Sequence, residues 1–270
     1  MKRSTISLLL IGLLLLAGLL LAQTVLSPKV SADANAVDAA NKLYLAGHYA
    51  EAVQLYEEQV ARGVQDSALF FNLGNAYFQQ GDLGRAVLNL ERAAQLNPRD
   101  ADIANNLTLV REQTTELFAE EPVGPLAVLA DATGWMTENE TAVLVLGFWF
   151  LLGFLLLVWR QAESGKMKRA LQIGLVLVLS LLIISGASLA SRTFLEETQP
   201  AGVVVSPTVA ISDGPGAEFT TDLSLSSGTS VSFTETQGDW VRLATPEGAG
   251  ENWLPVKAVE TVAERAQTAS

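Results

Sequence analysis

The sequence predicts a multidomain protein with three parts: an all-α repeat domain, a two-helix transmembrane hairpin and a small all-β barrel. Three observations predict this fold class. A helical pattern recurs with a period of 34 residues in the first half of the chain, two long runs without a charge follow it, and short β-prone runs separated by turns fill the last quarter. The 270 residues are 49% apolar with a mean hydropathy of +0.30, which is too hydrophobic for a wholly soluble acidic protein.

Composition excludes several classes of function. The chain carries 17 Lys and Arg against 29 Asp and Glu, and an acidic protein repels phosphate backbones, so nucleic-acid binding is not expected. It has no Cys and a single His, which excludes a cysteine nucleophile, zinc-finger spacings and a histidine-rich metal cluster. We find no nucleophile–base pair or catalytic motif. The sequence therefore predicts a protein that is not an enzyme and needs neither a metal nor a cofactor.

The N-terminal residues have the pattern of an export signal. Lys2 and Arg3 precede an apolar run from Ile6 to Ala22, and a small-residue site, Val30-Ser-Ala32, follows downstream. Cleavage there would leave Asp33 as the first residue, but the run ends far from the site. Residues 1–32 are therefore either a signal peptide or an uncleaved N-terminal anchor, and the chain that follows is exported in both cases.

Two apolar runs, 141–159 and 170–190, predict membrane helices. They contain 19 and 21 residues without a charge, enough to cross about 30 Å of hydrocarbon. The alternative, a buried helical hairpin, usually keeps one polar face, and these runs have none. The connecting residues 160–169 carry four positive charges, whereas the outer flanks are acidic. By the positive-inside rule the loop is cytoplasmic and both flanking domains lie outside, which predicts a multi-pass protein of the bacterial cytoplasmic (inner) membrane.

A linker, residues 120–140, precedes the first membrane helix. Glu120-Glu-Pro-Val-Gly-Pro125 breaks the helical pattern, and Leu126 to Trp135 could lie along the outer membrane surface. Thr137-x-x-Glu140 matches a capping box and predicts the start of a helix there.

The first half of the chain repeats one helical hairpin. Gly47 and Gly81 are 34 residues apart, as are Ala52 and Ala86. A fixed period of this length means that one unit, 33–66, is used again at 67–100 and stacks on its copy to bury a shared core. Residues 101–117 continue at helical spacing and are expected to form a capping helix, so that the domain covers 33–119.

The second copy resembles the tetratricopeptide repeat along its full length. The matching residues are Leu73, Gly74, Tyr77, Gly81, Ala86, Ala93 and Pro98. The resemblance implies a concave groove lined by the first helix of each hairpin, in which asparagine amides pair with an extended peptide and aromatic rings take its apolar side chains. The groove residues carried over are Asn41, Tyr44, Phe71, Asn72, Asn75, Phe78, Asn105 and Asn106. The alternative is that these asparagines only cap helices or face solvent.

Residues 201–262 change to short β-prone runs. Val203-Val-Val205, Thr208-Val-Ala-Ile211, Gly228 to Phe233 and Trp240-Val-Arg-Leu243 are separated by turn residues, which predicts a small barrel or roll. The Asp213-Gly-Pro-Gly216 turn, Gly238-Asp-Trp240 and Trp253-Leu-Pro255 resemble the bacterial SH3 (SH3b) domain. Trp240 and Trp253 would then form either a ligand surface or part of the core of the SH3-like barrel.

The order of modules is similar to the BatE-like proteins of Bat (aerotolerance) operons. Asn72-Leu-Gly-Asn-Ala-Tyr77 followed by Gly84-Arg-Ala-Val87 also looks like that family. The resemblance implies a membrane-bound scaffold in an assembly with membrane proteins of the von Willebrand A-domain type and a MoxR-type AAA+ ATPase, with the hairpin in the lipid bilayer. A second hypothesis is an anchor or sensor whose SH3b domain binds cell-wall peptidoglycan. A wall-cleaving enzyme is a third and weaker hypothesis, because no catalytic residues are found.

Overall fold

The computed structural model of the chain describes residues 30–114, 125–244 and 251–263. These residues fall into two compact units, which we describe separately. The first contains the described parts of 29–123 and 194–270, and the second contains those of 124–193. Of the predicted signal or anchor, only Val30 to Ala32 are described; the rest of that prediction lies outside the described residues.

Five helices form the first half of the first unit. They are α1 (Ala34–Leu45), α2 (Tyr49–Ala61), α3 (Ser67–Gln80), α4 (Leu83–Leu96) and α5 (Ala101–Arg111). Aspartate side chains decide where four of them begin, because each accepts a hydrogen bond from a backbone N–H of the first turn that has no partner within the helix. These capping residues are Asp33, Asp66, Asp82 and Asp100.

The helices pair in the order of the chain, with α1 against α2 and α3 against α4. Gly81 ends α3 with a φ of +80°, a left-handed conformation that glycine adopts without strain, and so permits the tight turn into α4. Fully buried Leu73, Ala86 and Leu90 belong to one apolar core that runs through both pairs. The helices α1 and α2 lie within 33–66 and α3 and α4 within 67–100. The predicted capping segment is helical as far as Arg111, and its last residues, 115–117, lie outside the described part.

Seven antiparallel strands complete the first unit. They are β1 (Ala201–Val204), β2 (Thr208–Ser212), β3 (Thr220–Ser226), β4 (Ser230–Gln237), β5 (Trp240–Leu243), β6 (Trp253–Pro255) and β7 (Val259–Thr261). Their order in the sheet is β3-β2-β6-β5-β4-β1-β7. Ile211, Leu225, Val241 and Leu254 are buried in a second apolar cluster beneath the strands. Strands β4 and β5 form a hairpin in which Gln237 pairs with Trp240, so the predicted turn at Gly238-Asp239 is present.

The sheet differs from the prediction in two respects. It is not closed into a barrel, since β3 and β7 are its two edges. Strands β3 and β7 were also absent from the predicted β-prone runs. The sequence of β3, Thr-Thr-Asp-Leu-Ser-Leu-Ser, is mostly polar because only Leu225 of this edge strand is buried, so it lacks the apolar density on which the prediction depended.

The second unit is built from α6 (Pro125–Asp131), α7 (Glu138–Gln161) and most of α8 (Gly165–Thr198). Thr137 and Glu140 form the predicted capping box at the start of α7. The most apolar windows of α7 and α8 have mean hydropathies of 2.6 and 2.5, and 17% of each window is buried. Both helices are long and apolar enough to cross a membrane.

Helix limits differ from the predicted ones. A short helix, α6, lies within the predicted linker 120–140. Helix α8 begins at Gly165 and so takes in Lys166, Lys168 and Arg169, which the prediction gave to the loop 160–169. Backbone hydrogen bonding continues a helix past the last apolar residue, and lysine and arginine are good helix formers, so the apolar run marks a minimum length and not the helix itself.

Polar side chains join α8 to α6 and to the residues that follow it. The hydroxyls of Thr133 and Ser188 are 2.8 Å apart and both residues are buried. Arg192 donates to the backbone oxygen of Ala130 at 2.9 Å and to that of Met136 at 3.0 Å. In this way one arginine of α8 satisfies carbonyl groups at and after the end of α6.

Candidate protein-binding groove

The first helices of successive hairpins carry asparagines that bond to one another. Nδ2 of Asn72 on α3 donates to Oδ1 of Asn41 on α1 at 3.1 Å, and Nδ2 of Asn106 on α5 donates to Oδ1 of Asn75 on α3 at 2.8 Å. Asn41 and Asn75 are one repeat period apart, and so are Asn72 and Asn106. The same side-chain hydrogen bond is therefore made twice, once at each junction between neighbouring helices. We call these four residues the asparagine pairs.

Tyr56 supports the first of the asparagine pairs from below. Its hydroxyl donates to Oδ1 of Asn41 at 2.6 Å, although the residue is only 1% exposed. Burial, together with the nearby Tyr44, raises the pKa of Tyr56 to about 12. Tyr56 is not among the predicted groove residues. The sequence did carry a signal for it: the second copy has Leu90 at this position, and a buried tyrosine in place of leucine usually has a hydrogen-bond partner for its hydroxyl.

A recess of about 320 Å³ opens beside the first of the asparagine pairs. It is lined by Asn41, Tyr44, Leu45, Tyr56, Asn72 and Asn75. Leu45 is 83% exposed, which leaves a large apolar side chain uncovered at the edge of the recess. The ring of Tyr44 meets that of Tyr49 edge to face, with the ring centres 5.4 Å apart. The recess thus combines amide groups with apolar and aromatic surface.

The amides have hydrogen-bonding capacity left for a ligand. Oδ1 of Asn41 already accepts from Tyr56 and Asn72, whereas Nδ2 of Asn41 has no acceptor among the residues that the structure describes. Oδ1 of Asn72 likewise receives no hydrogen bond from any described residue. The first pair therefore presents an N–H donor and a C=O acceptor side by side, the two groups that a peptide backbone can satisfy. Helix α3, which forms the centre of the groove, carries no charged residue.

The other predicted groove residues are placed differently. Phe71 and Phe78 are half-buried and pack against the helical core. Asn105 is exposed on α5, and no described residue bonds to its side chain. The structure therefore brings together Asn41, Tyr44, Asn72 and Asn75 around one recess, with Asn106 bonded at the next junction.

The two tryptophans of the sheet do not form an open surface. Trp253 on β6 is 3% exposed, and its Nε1 donates to Glu251 at 3.4 Å. Its ring lies 6.0 Å from the guanidinium carbon of Arg242. Trp240 on β5 is half-buried. Trp253 is therefore covered, with Arg242 and Glu251 against it, and Trp240 is the more accessible member of the predicted pair.

One comparison with known proteins matches part of the helical region. The family model of the TPR repeat matches residues 74–114, which run from the middle of α3 to just beyond α5. No curated protein and no solved structure matches the chain. The chain therefore contains a TPR repeat in its helical region. TPR repeats are non-catalytic interaction modules, so the repeat indicates protein partners and a scaffolding role.

Proposed function

We propose that this protein is a membrane-anchored, non-enzymatic scaffold that binds an extended segment of a partner protein in the groove of its helical repeats. The observation that carries the proposal is the recurrence of the same asparagine-to-asparagine hydrogen bond at both helix junctions, at 3.1 Å and 2.8 Å. Asparagines that only faced solvent would have no reason to be held in register with the repeat.

The groove is suited to a segment without charge. An extended peptide offers a backbone N–H and C=O at each residue, and the first of the asparagine pairs can satisfy one of each. Leu45 and Tyr44 would take an apolar side chain of the same segment. Since α3 has no charged residue and no lysine lines the recess, we do not expect recognition of a free C-terminal carboxylate.

We further propose that α7 and α8 cross the bacterial cytoplasmic membrane as a hairpin. Their length and hydropathy support the crossing, and the positive charges between the two apolar runs support a cytoplasmic turn. The repeats and the sheet would then be extracytoplasmic. By resemblance, the partners would be membrane proteins of the von Willebrand A-domain type in a Bat-like assembly, with a MoxR-type ATPase acting on the same system.

The role of the C-terminal sheet follows from the same resemblance. As an SH3b-like module it would make a second contact with the partner and raise its effective concentration at the groove. Peptidoglycan binding by this module is the competing function, and it is an outcome of the following test.

The test is crosslinking of the tagged full-length protein in its native membranes, followed by identification of the captured material. Asn41, Asn72 and Asn75 are changed together to Ala, which removes the donor and acceptor of the first pair and the acceptor of the second. Each lost hydrogen bond is worth about 1 kcal/mol, so we expect binding to weaken on the order of a hundredfold.

Asn35→Ala is the matched control, because Asn35 is an exposed asparagine in the first turn of α1 whose side chain bonds to no described residue. An unchanged midpoint of thermal unfolding verifies that the repeats of the triple variant still fold. A defined protein partner that is lost with the triple variant and kept with the control supports the proposal. Equal capture by both variants, dominated by wall fragments, contradicts it and assigns recognition to the sheet.

A further inference from the structure

Helix α4 is covered on two sides. One side packs on α3, and the other meets strand β1 of the C-terminal sheet. Two buried valines of the sheet, Val203 and Val262, belong to the same apolar cluster as the helices, and Val205 packs against that cluster. The helical repeats and the sheet therefore share a core, although 86 residues separate Thr114 from Ala201.

Arg92 on α4 holds the edge of the sheet. Its Nη2 donates to the backbone oxygen of Thr261 at 2.9 Å, and its Nε donates to that of Val262 at 3.2 Å. Thr261 ends β7, which is an edge strand and has a neighbouring strand on one side only. The arginine thus satisfies carbonyl groups that an edge strand otherwise leaves for water or for another chain.

Glu91 connects the sheet to two helices at once. Its carboxylate lies 2.7 Å from Nη2 of Arg111 at the end of α5, and it accepts a hydrogen bond from the hydroxyl of Ser230 at the start of β4. The Glu91 side chain is only 13% exposed. A largely buried carboxylate that bonds to both Arg111 and Ser230 fixes the relative positions of α4, α5 and β4 within this unit.

Two glycines mark how closely the sheet approaches the helices. A Cβ atom added to Gly84 on α4 would lie 2.7 Å from the backbone oxygen of Val204 and 2.8 Å from Cα of Val205. A Cβ atom on Gly228, in the turn between β3 and β4, would overlap the side chain of Thr114. The contact is therefore close enough that no side chain larger than hydrogen fits at either position.

We infer that the C-terminal sheet is the terminal cap of the helical array and occupies the side of α4 on which a further repeat would stack. Helical repeats bury their faces against neighbours, so the last repeat needs a cap, and two repeats alone are close to the lower limit of stability. Helix α5 covers part of that surface without a partner helix of its own. The sheet covers α4 beside it and reaches Thr114, just beyond the end of α5.

A sheet that caps the helical array gives the chain a different domain organisation from the predicted one. Residues 33–114 and 201–263 become one discontinuous domain, and the helices between them become an insertion whose two ends return to the same folded body. The outer side of α4 is closed to partners, which leaves the asparagine pairs on the first helices as the open side of the repeats. The inference depends neither on a membrane nor on a partner.

The chain contains no cysteine, so cysteines introduced in pairs are its only thiols and can be crosslinked specifically. Arg85→Cys on α4 and Glu260→Cys on β7, whose native side chains are 3.5 Å apart and 42% and 40% exposed, are introduced together into the full-length protein, which is then treated with a short bis-maleimide. The control pair is Arg85→Cys with Thr236→Cys, because Thr236 lies about 20 Å along β4 from Ser230, which is level with Glu260 across Val203 of β1. We expect efficient intramolecular crosslinking of the first pair and none of the second.

Gly84→Ala is then added to each pair. Alanine is the better helix former, so it favours α4 by itself, but its methyl group would press on Val204 and Val205. If the sheet caps the array, crosslinking of the first pair falls about tenfold. Gly238→Ala is the control: alanine at this positive φ strains the turn between β4 and β5, but its Cβ would meet nothing within 4 Å, so we expect the yield of the crosslink at α4 to be unchanged. An uncrosslinked first pair, or a yield that Gly84→Ala does not lower, overturns the inference. Equal partner capture by the triple asparagine variant and its Asn35→Ala control, with intact crosslinking of the first pair, would instead refute only the proposed function.

Discussion

Tyr56 shows how one core side chain can prepare a binding surface. Its ring on α2 is buried in the helical core, and its hydroxyl reaches the asparagine that lines the recess, at 2.6 Å from Oδ1 of Asn41. The hydrogen bond fixes which end of the Asn41 amide faces inward. The amide nitrogen is thereby directed to the open side, so the orientation of a surface group is decided by a residue that is itself buried.

Tyr56→Phe is expected to lower the free energy of unfolding by about 1 kcal/mol at neutral pH. Oδ1 of Asn41 still accepts from Asn72 in this variant, but it loses the hydrogen bond from the Tyr56 hydroxyl. Thermal or denaturant unfolding measures the change. Tyr49→Phe is the matched control, since no described residue bonds to the Tyr49 hydroxyl, and it should change stability little. Equal losses for the two variants would contradict the role given to Tyr56.

The same tyrosine predicts an alkaline dependence of stability. Burial raises its pKa from 10.0 to about 12 in the folded protein. The unfolded chain therefore gives up this proton at a lower pH than the folded protein. The Tyr56 contribution is complete below pH 10.0 and is lost as pH rises to about 12. Between these two pH values, the free energy of unfolding should fall less steeply with pH for Tyr56→Phe than for the unaltered chain. Parallel slopes would refute the assignment.

At the scale of the helix, Gly74 decides how closely α3 and α4 pack. A Cβ atom added there would lie 2.9 Å from Cγ of Leu90 and 3.2 Å from the backbone oxygen of Ala86. Small residues at such crossings allow the paired helices to approach until their backbones are nearly in contact. The separation of the two helices within the second hairpin depends on this approach.

Gly74→Ala is therefore expected to destabilise the repeats by about 1–2 kcal/mol, even though alanine is the better helix former. Denaturant unfolding of the full-length protein measures this. Gln80→Ala at the exposed end of the same helix is the control and should be neutral. A stabilised Gly74→Ala protein would mean that α3 and α4 are further apart than described.

At the scale of the whole chain, a shared core has a consequence for topology. Val203 and Val262 pack in the same cluster as the helices, so the segments on either side of α7 and α8 lie on the same side of any membrane. An even number of crossings satisfies this requirement and a single crossing does not. The shared core is therefore consistent with the proposed two-span hairpin on grounds that are independent of the charge of the loop.

Single cysteines in the cysteine-free chain test this arrangement. Gln65→Cys and Thr236→Cys, both exposed in the first unit, should react with a membrane-impermeant maleimide added to spheroplasts. Lys168→Cys should react only after the membrane is permeabilised. The unaltered chain, which contains no cysteine, gives the background. Labelling of Gln65→Cys and Thr236→Cys from opposite sides would contradict both the shared core and the two-span hairpin.

Much of the local structure was predictable because it depends on short-range rules. The turn at Gly81, the capping box at Thr137 and Glu140 and the strands around Val209 and Val241 each follow from a few neighbouring residues. The resemblance to the tetratricopeptide repeat, and not a local rule, gave the predicted groove asparagines. It did not predict that Asn72 bonds to Asn41 or that Tyr56 supports them, because those contacts depend on the distance between helices.

The sequence alone determined the composition of the chain, the repeat and its period, the two apolar helices and the β character of the last quarter. These are properties of residue type and periodicity, which act over one or two turns of chain. Only the tertiary structure decided that the sheet remains open, that Trp253 is buried, and that β1 and β7 lie against α4. Contacts between residues more than a hundred positions apart depend on which surfaces fit together in space, and no local pattern records that fit.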